Sequence, residues 1–559
     1  MTELTELNAQ RANLTAWADE LAVREASATT GRVDLESWRE GWVKRRQVER
    51  AGLPTPTPGA DGEIDVPESA PEVDGSDVWP VWWGNVDEVG PSPFDNLPPP
   101  LRGAKRRVLF LTDYTDYLER MNTHTYEIVD AALRHPHLIV DVWGPGWAGY
   151  DWDVPLSVNI NRRANRVAAI EAGRAHHAAN EARERQASTH ALAGRIDIGG
   201  LLGDNADQTP YHAPSWDSFD DQCNPDVAFD FAWTMSDIYK AKDMPHVDGL
   251  DCGTLLVQQL GDCHEHRCMK EWYQQSNNIT VTKYAFELNE IFNYDNIRTK
   301  FPDFQMHLFG HSPDTGNPWD FYPLPWSEKT REAAVFGFDG GFYPLRTTVT
   351  EHLRKLEKDS SLPASPISRH PHPGYTVHIP DEVRNNPLET YTLGHETYTT
   401  HRALREDFAG GMRKSQICVF DSSLERKLIR KYAQAFLSGC VVAGDLPTEH
   451  EEELEKFTIK LEPGWKIERI HWELEKYLAQ PEKLHQMALD GFAYAREHLT
   501  GTSKITDMLR LVDSHRAGHR GYDQSFSFSN RCRTYWVNAQ RPGWCDAQES
   551  YRGLEDRMY

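Results

Sequence analysis

Apolar and polar positions divide the chain into four zones. Residues 1 to about 50 follow a helical period, with Leu14, Trp17, Leu21 and Val23 on one stripe and Trp38, Trp42 and Val43 repeating it among charges. Ala51 to about Pro100 loses that periodicity and is rich in proline, glycine and acids, which predicts an extended linker. Its aromatic patch, Trp79, Trp82 and Trp83, is expected to dock on a folded neighbour.

The pattern then changes to strand, helix, strand. Val108 to Leu111 (VLFL) reads as a buried strand, Thr112 to Asp116 as a polar loop, Tyr126 to Leu133 as the end of a helix and Leu138 to Trp143 as a second strand. So short a crossover implies parallel pairing. An Ala-, Arg- and Glu-rich helical insertion is predicted from about 160 to 192. Further strands are predicted at Asp226 to Phe231, Thr254 to Leu260 and Thr280 to Phe286.

A second series begins with a strand at Ala333 to Phe338 and a helix at Leu345 to Leu356. A loop rich in Pro and His follows, from about Lys358 to Pro387. Gln416 to Phe420 is a strand and Asp421-Ser422-Ser423 a capping turn. Leu424 to Ser438 is a helix stopped by Gly439, and Cys440 to Ala443 is the next strand. Helices dominate from His471 to about His515. The expected organisation is an extension over 1–100, an α/β half over 101–330, a second over 331–515 and a tail over 516–559. The fold class is α/β, with two Rossmann-like domains facing a cleft.

Charge narrows the partners. The 559 residues carry 60 Lys+Arg against 85 Asp+Glu, a net charge of −25, which disfavours nucleic acid and anionic lipid as general partners. No apolar run approaches the ~20 residues of a spanning helix, and the polar, acid-bearing start lacks the pattern of a signal peptide. The eight cysteines are sparse and mostly isolated, as in a reducing compartment, so a cytoplasmic protein is expected.

Two common nucleotide sites are absent. The loop Thr112-Asp113-Tyr114-Thr115-Asp116 has no glycine to admit a pyrophosphate, which argues against a nicotinamide enzyme, and no GxxxxGK[ST] loop occurs. Arg426, Lys427, Arg430 and Lys431, by contrast, crowd into one predicted helix behind the Asp-Ser-Ser turn. Such a helix start suits a diphosphate; a solvated basic face paired with the acids of Glu449 to Glu455 explains the run equally well.

The stretch from Lys431 through Tyr432, Gln434, Ala435, Gly439 and Cys440 to Val442 resembles the donor-site signature of group 1 glycosyltransferases of GT-B fold. It is most similar to the spore-maturation-protein-like (CgeB-like) branch. In that family an acid in this helix binds the ribose of a nucleotide sugar. Here the matching residue is the amide Gln434, and Arg426 stands where a second acid is frequent. Val335 to Phe338 followed by Tyr343-Pro344-Leu345-Arg346 is similar to the opening of the family's donor domain, which assigns Arg346 to the donor's phosphates; an ordinary helix-start arginine is the alternative. Tyr343, Ser422, Ser423 and Lys431 complete the implied donor set. Gly144-Pro145-Gly146-Trp147 is either an acceptor-side loop or a structural turn.

The segment Gly261 to Cys268 follows a strand and is expected to face the cleft. The resemblance makes His264 or Asp262 the candidate catalytic group, the base if the transfer inverts. A metal site from Cys263, His264, His266 and Cys268 has unsuitable spacing, and a structural loop histidine is the remaining alternative. Asp151-Trp152-Asp153 is taken as a chance D-x-D. The implied activity is glycosyl transfer from a nucleotide-sugar co-substrate to an unidentified acceptor, with no cofactor and no metal. The alternatives are an inert binding or scaffold protein of the same fold, a nucleotide-sugar epimerase, or a pyridoxal-dependent phosphorylase. The last needs a buried lysine in the second half, and none has an evident apolar setting.

Overall fold

The computed structural model describes residues 106–121, 126–135, 138–173, 222–234, 251–259, 279–284 and 308–522, apart from 360, 362–363, 392–395 and 425. The expected N-terminal helices, the linker with Trp79, Trp82 and Trp83, the insertion beyond 173, the loop Asp262 to Cys268 and the tail beyond 522 lie outside the described residues.

The first half opens as its hydrophobic pattern predicts. β1 (Arg106–Leu111) buries its last four residues. A helix, α1 (Tyr114–Arg120), then starts inside the segment expected as loop, because the Asp113 side chain caps it by accepting from the Asp116 amide. α2 (Tyr126–Leu133) leads to β2 (Leu138–Trp143), which pairs parallel with β1. Helical backbone, α3, covers residues 156–173. β3 (Phe231–Thr234), β4 (Leu255–Gln259), β5 (Ile279–Thr282) and β6 (Leu308–His311) extend the sheet. The strand expected at Asp226 starts only at Phe231, since the Val227 and Ala228 amides turn back onto the Asn224 carbonyl. β6 has no clear apolar signature in the sequence.

The second half runs β7 (Arg331–Val335), α4 (Pro344–Lys358), β8 (Ile367–Arg369), α5 (Asp381–Asn385), α6 (Glu396–Arg413), β9 (Ser415–Val419), α7 (Arg430–Leu437), β10 (Val441–Gly444), α8 (Glu451–Leu454) and β11 (Thr458–Lys460). Then come α9 (Ile467–Leu478), α10 (Pro481–His498), α11 (Gly501–Arg516) and the short β12 (Gly521–Tyr522). Among the described residues the strands form two all-parallel sheets, ordered β12-β6-β5-β4-β3-β1-β2 and β11-β10-β9-β7-β8. Each sheet has its own hydrophobic core. This is the expected pair of Rossmann-like α/β domains.

The halves are joined by more than a linker. α11 leaves the second half and buries Ile505, Met508, Leu509 and Val512 in the first core, and β12 pairs with β6. The segment around α5 also crosses over: Ile379 and Tyr391 enter the first core, and the Tyr114 hydroxyl donates to the Val383 carbonyl at 2.7 Å. The hydrophobic spacing of these segments marks them as buried but does not say against which sheet.

Two expectations change. The helix predicted over Leu424 to Ser438 is only α7, starting at Arg430. Ser423 (φ 80°) and Arg426 (φ 51°) adopt left-handed backbone, and Ile429, the cap position, is extended. The Glu449 carboxylate accepts the Leu428 amide at 2.8 Å, holding this stretch as a loop. The cysteines were also expected as isolated thiols. Adjacent strands instead bring Cys418 and Cys440 to a Cα separation of 5.8 Å and a disulfide joins them, and a second disulfide joins Cys223 to Cys252. No helix among the described residues is long and apolar enough to cross a membrane.

A buried lysine fixes the helices behind the second sheet. Lys329 Nζ donates to the carbonyls of Arg413 (2.8 Å), Ser415 (2.9 Å) and Ser438 (3.2 Å). It thereby satisfies carbonyls at the C-terminal ends of both α6 and α7. Replacing Lys329 by Met leaves those carbonyls buried without a donor. The variant is expected to unfold with about 2–4 kcal/mol less stability in urea titration; wild-type stability would show that other donors reach them.

Candidate functional site

The second sheet reverses direction at one place. From β7 the chain steps outward to β8 on one side, whereas β9, β10 and β11 lie on the other. The crevice at the carboxyl ends of β7 and β9 is therefore a topological switch point, where open α/β sheets bind ligands. Residues 336–343 and 420–429 form the loops there.

A buried ion pair spans the two loops. Asp421 accepts the Arg346 Nε at 2.6 Å and the Leu345 amide at 2.8 Å, so one carboxylate caps α4 and neutralises its arginine. Arg346, 1% exposed, gives its other terminal nitrogens to the Phe338 and Asp421 carbonyls, both at 3.1 Å. The Tyr343 ring stacks 3.5 Å from its guanidinium carbon. Arg346 thus stands behind the crevice, committed to Asp421.

The next cation has no such partner. Lys431, buried in the first turn of α7, makes no hydrogen bond or ion pair among the described residues. Its aliphatic chain and Arg346 fill the space beside Gly337, where an added Cβ would lie 2.5 Å from Lys431 Cε and 2.5 Å from Arg346 Nη1. With Arg430 it also opposes the helix dipole, because α7 has no acid in its first turn and no side-chain cap. Burial, reinforced by Arg346 and Arg430, holds the Lys431 ammonium well below the usual lysine range.

Lys431 borders a narrow cavity lined by Phe321, His372, Leu404, Phe408, Arg430 and Gln434, with Arg405 and Pro373 beside them. Burial, with the charges of Lys431, Arg430 and Arg346, lowers His372 to about 4. Two of the lining residues, Gln434 and Arg430, meet the first half. Glu127, in the first turn of α2, accepts the Gln434 amide at 2.8 Å and lies 3.7 Å from Arg430. Burial raises the Glu127 carboxyl, with Arg430 and Arg405 opposing. Among the described residues the Gln434 carbonyl oxygen is buried without a hydrogen-bond partner. A suppressed lysine flanked by arginines, with an open acceptor beside it, suits an anion bearing hydroxyl groups.

The residues singled out from sequence separate into groups. Lys431 and Gln434 meet at the cavity, with Arg346 and Tyr343 behind Lys431. Ser422 is bound to Asp445, which accepts its amide at 2.7 Å and its hydroxyl at 2.6 Å, and Ser423 is buried in the turn that follows β9 rather than at a helix start. The cationic run divides as well. Arg426 donates to the Leu446 carbonyl and lies 3.3 Å from Glu451, one of the acids the alternative reading paired it with; Lys427 sits 5.3 Å from the Tyr284 ring. Gly144-Pro145-Gly146-Trp147 packs on the β1 loop, Trp147 donating to Thr112 and the Tyr114 amide to the Pro145 carbonyl. Asp151 pairs with Arg162 at 3.1 Å. Asp262 and His264 lie outside the described residues.

Sequence inspection missed Glu127, His372 and Arg405. Glu127 is one acid in an apolar helix and His372 one of several loop histidines, so neither carries a signal beyond its type. The expectation that the second half has no lysine in an apolar setting is corrected, since Lys427, Lys431 and Lys504 are buried there.

No protein-family model matches the chain, and no curated protein does. Among solved structures it is similar to TarM over 47% of this chain and 55% of that one, with 8% identity and a TM-score of 0.29. It thus spans about half the length of TarM, and a likeness this distant carries no argument.

Two measurements probe the geometry. Gly337 has φ 102°, so Gly337→Ala combines backbone strain with displacement of both cations; a loss of about 2–4 kcal/mol in unfolding free energy is expected, and an unchanged melting temperature would contradict the packing. Asp445 is raised to about 7 by burial and by Asp421. A carboxyl raised in the folded state stabilises fully below its unfolded value of about 4 and loses that contribution as pH rises through its folded value. Asp445→Asn should therefore gain stability relative to wild type between pH ~4 and ~7, and a pH-independent difference would refute the assignment.

Proposed function

We propose that the protein is a glycosyltransferase that moves a sugar from a nucleoside-diphosphate donor to an acceptor, with the diphosphate held at the cavity beside Lys431. The observation that carries this reading is the buried Lys431 amine, unpaired among the described residues and flanked by Arg430 and Arg346 at the switch point. A diphosphate there supplies the missing negative charge. Arg346, bound to Asp421, raises the local potential from behind. The Gln434 carbonyl oxygen, its amide anchored on Glu127, accepts a donor hydroxyl.

Transfer breaks the bond between the sugar's anomeric carbon and the diphosphate, and negative charge develops on the leaving oxygen. Cations already fixed in a water-poor cavity stabilise that charge most effectively, because they need no reorganisation. The acceptor enters from the first half, near the loops after Leu111, Trp143 and Leu260. If configuration inverts, Asp262 or His264 takes its proton; if it is retained, no separate base is needed. The metal-independent form of this chemistry follows when protein cations carry the leaving group.

Titration calorimetry with UDP, GDP, ADP and their sugars tests the reading. Binding is expected, and Lys431→Ala should weaken it about 10- to 100-fold, as for loss of a charge-assisted hydrogen bond. Because the free Lys431 ammonium is suppressed and a bound anion raises it again, binding should take up protons. Heats measured in buffers of different ionisation enthalpy report that uptake. Failure of every nucleotide to bind at millimolar concentration overturns the reading, and release of sugar from the donor then separates an enzyme from an inert relative.

A further inference from the structure

Beside the cations lies a loop that displays aromatic rings to solvent. Phe338 is 48% exposed and Phe342 64%, and neither makes a ring contact among the described residues. Phe338 follows Gly337, which packs against Lys431, and Phe342 precedes Tyr343, whose ring stacks on Arg346, so the backbone carrying both rings adjoins the cations. His372 lines the cavity and meets the Tyr375 ring at a tilt of 53°, 4.6 Å between ring centroids.

The loop is held firmly for one so exposed. The Phe338 carbonyl accepts Arg346, and Thr347 Oγ1 donates to the carbonyls of Asp339 (3.0 Å) and Gly340 (3.3 Å). The Phe342 carbonyl accepts the Leu424 amide at 3.0 Å. The Phe338 ring lies over Gly340, which leaves no room for a Cβ there, and Asp339 is paired with Arg354 at 2.5 Å. Fixed backbone presents the rings, while the loop's carbonyls and its one carboxylate are already engaged. Such a surface offers flat apolar faces and few groups to read polar edges.

We propose that Phe338 and Phe342 form a stacking platform for the base of the nucleoside diphosphate whose phosphates lie at Lys431. This rests on the diphosphate reading above. The base is then gripped by its face, and every base has one, so discrimination among uracil, guanine and adenine is weak. A base joined to the phosphates through one ribose reaches only the immediate surroundings of an anion site, and the loop that carries both rings adjoins the cations.

The experiment compares inorganic pyrophosphate with UDP, GDP and ADP on the full chain by calorimetry. The nucleotides are expected to bind about 5- to 100-fold more tightly than pyrophosphate, the range of a stacked base. In the double variant Phe338→Ser, Phe342→Ser that advantage should collapse, with pyrophosphate affinity unchanged within about twofold. Both side chains are exposed, and a wild-type melting temperature verifies folding. Gly340→Ala, which displaces the Phe338 ring while keeping both aromatics, should reduce the advantage as well. Pyrophosphate binding with no added benefit from a base overturns the platform alone, as does a variant that keeps its nucleotide affinity but loses transfer, which would make the rings an acceptor surface. Binding of neither pyrophosphate nor nucleotide overturns the diphosphate reading with it.

Discussion

The ion pair between Asp421 and Arg346 sets the geometry of the second half. Both groups are removed from water, so neither charge is tolerable without the other, and breaking such a pair costs about 3–5 kcal/mol. The Asp421 carboxylate also caps α4, so one residue after β9 fixes both the end of its own strand and the entry of the helix that follows β7. The Tyr343 ring and the Phe338 carbonyl are then placed by the guanidinium they touch.

With Asp421 engaged, the remaining positive charge has nowhere to go. Lys431 and Arg430 begin a helix whose dipole already disfavours cations, and α2 brings Glu127 across from the other domain to Gln434 and Arg430. Burial and the neighbouring arginines hold the Lys431 ammonium low there. A molecule of net charge −25 thus keeps a small pocket of opposite sign at its domain junction. The junction is held by two crossings of the chain, α11 with β12 and the segment around α5, so cavity geometry depends on packing in both cores.

Much of this is legible in the amino-acid sequence. The apolar runs at Val108, Leu138, Gln416 and Cys440 became parallel strands, because a short crossover between buried strands leaves few other arrangements. Lys431 and Gln434 were identified through a family resemblance, and both line the cavity. The length of α7 was misread: nothing in the composition of Leu424 to Ile429 announces left-handed backbone at Ser423 and Arg426, which contacts from Asp445 and Glu449 support. Arg426 and Lys427 consequently leave the cationic run for partners of their own.

The sequence by itself determined the two α/β halves, the acidic surface and the concentration of cations between Arg426 and Lys431. These follow from periodicity and charge, which are properties of neighbouring residues. Tertiary structure alone decided which cation is spent on a carboxylate, which is left facing a cavity, and that the opposing acid is Glu127, some 300 residues away in the chain. Burial and pairing depend on what the fold brings within a few ångströms, and that distance is not written in spacing along the chain.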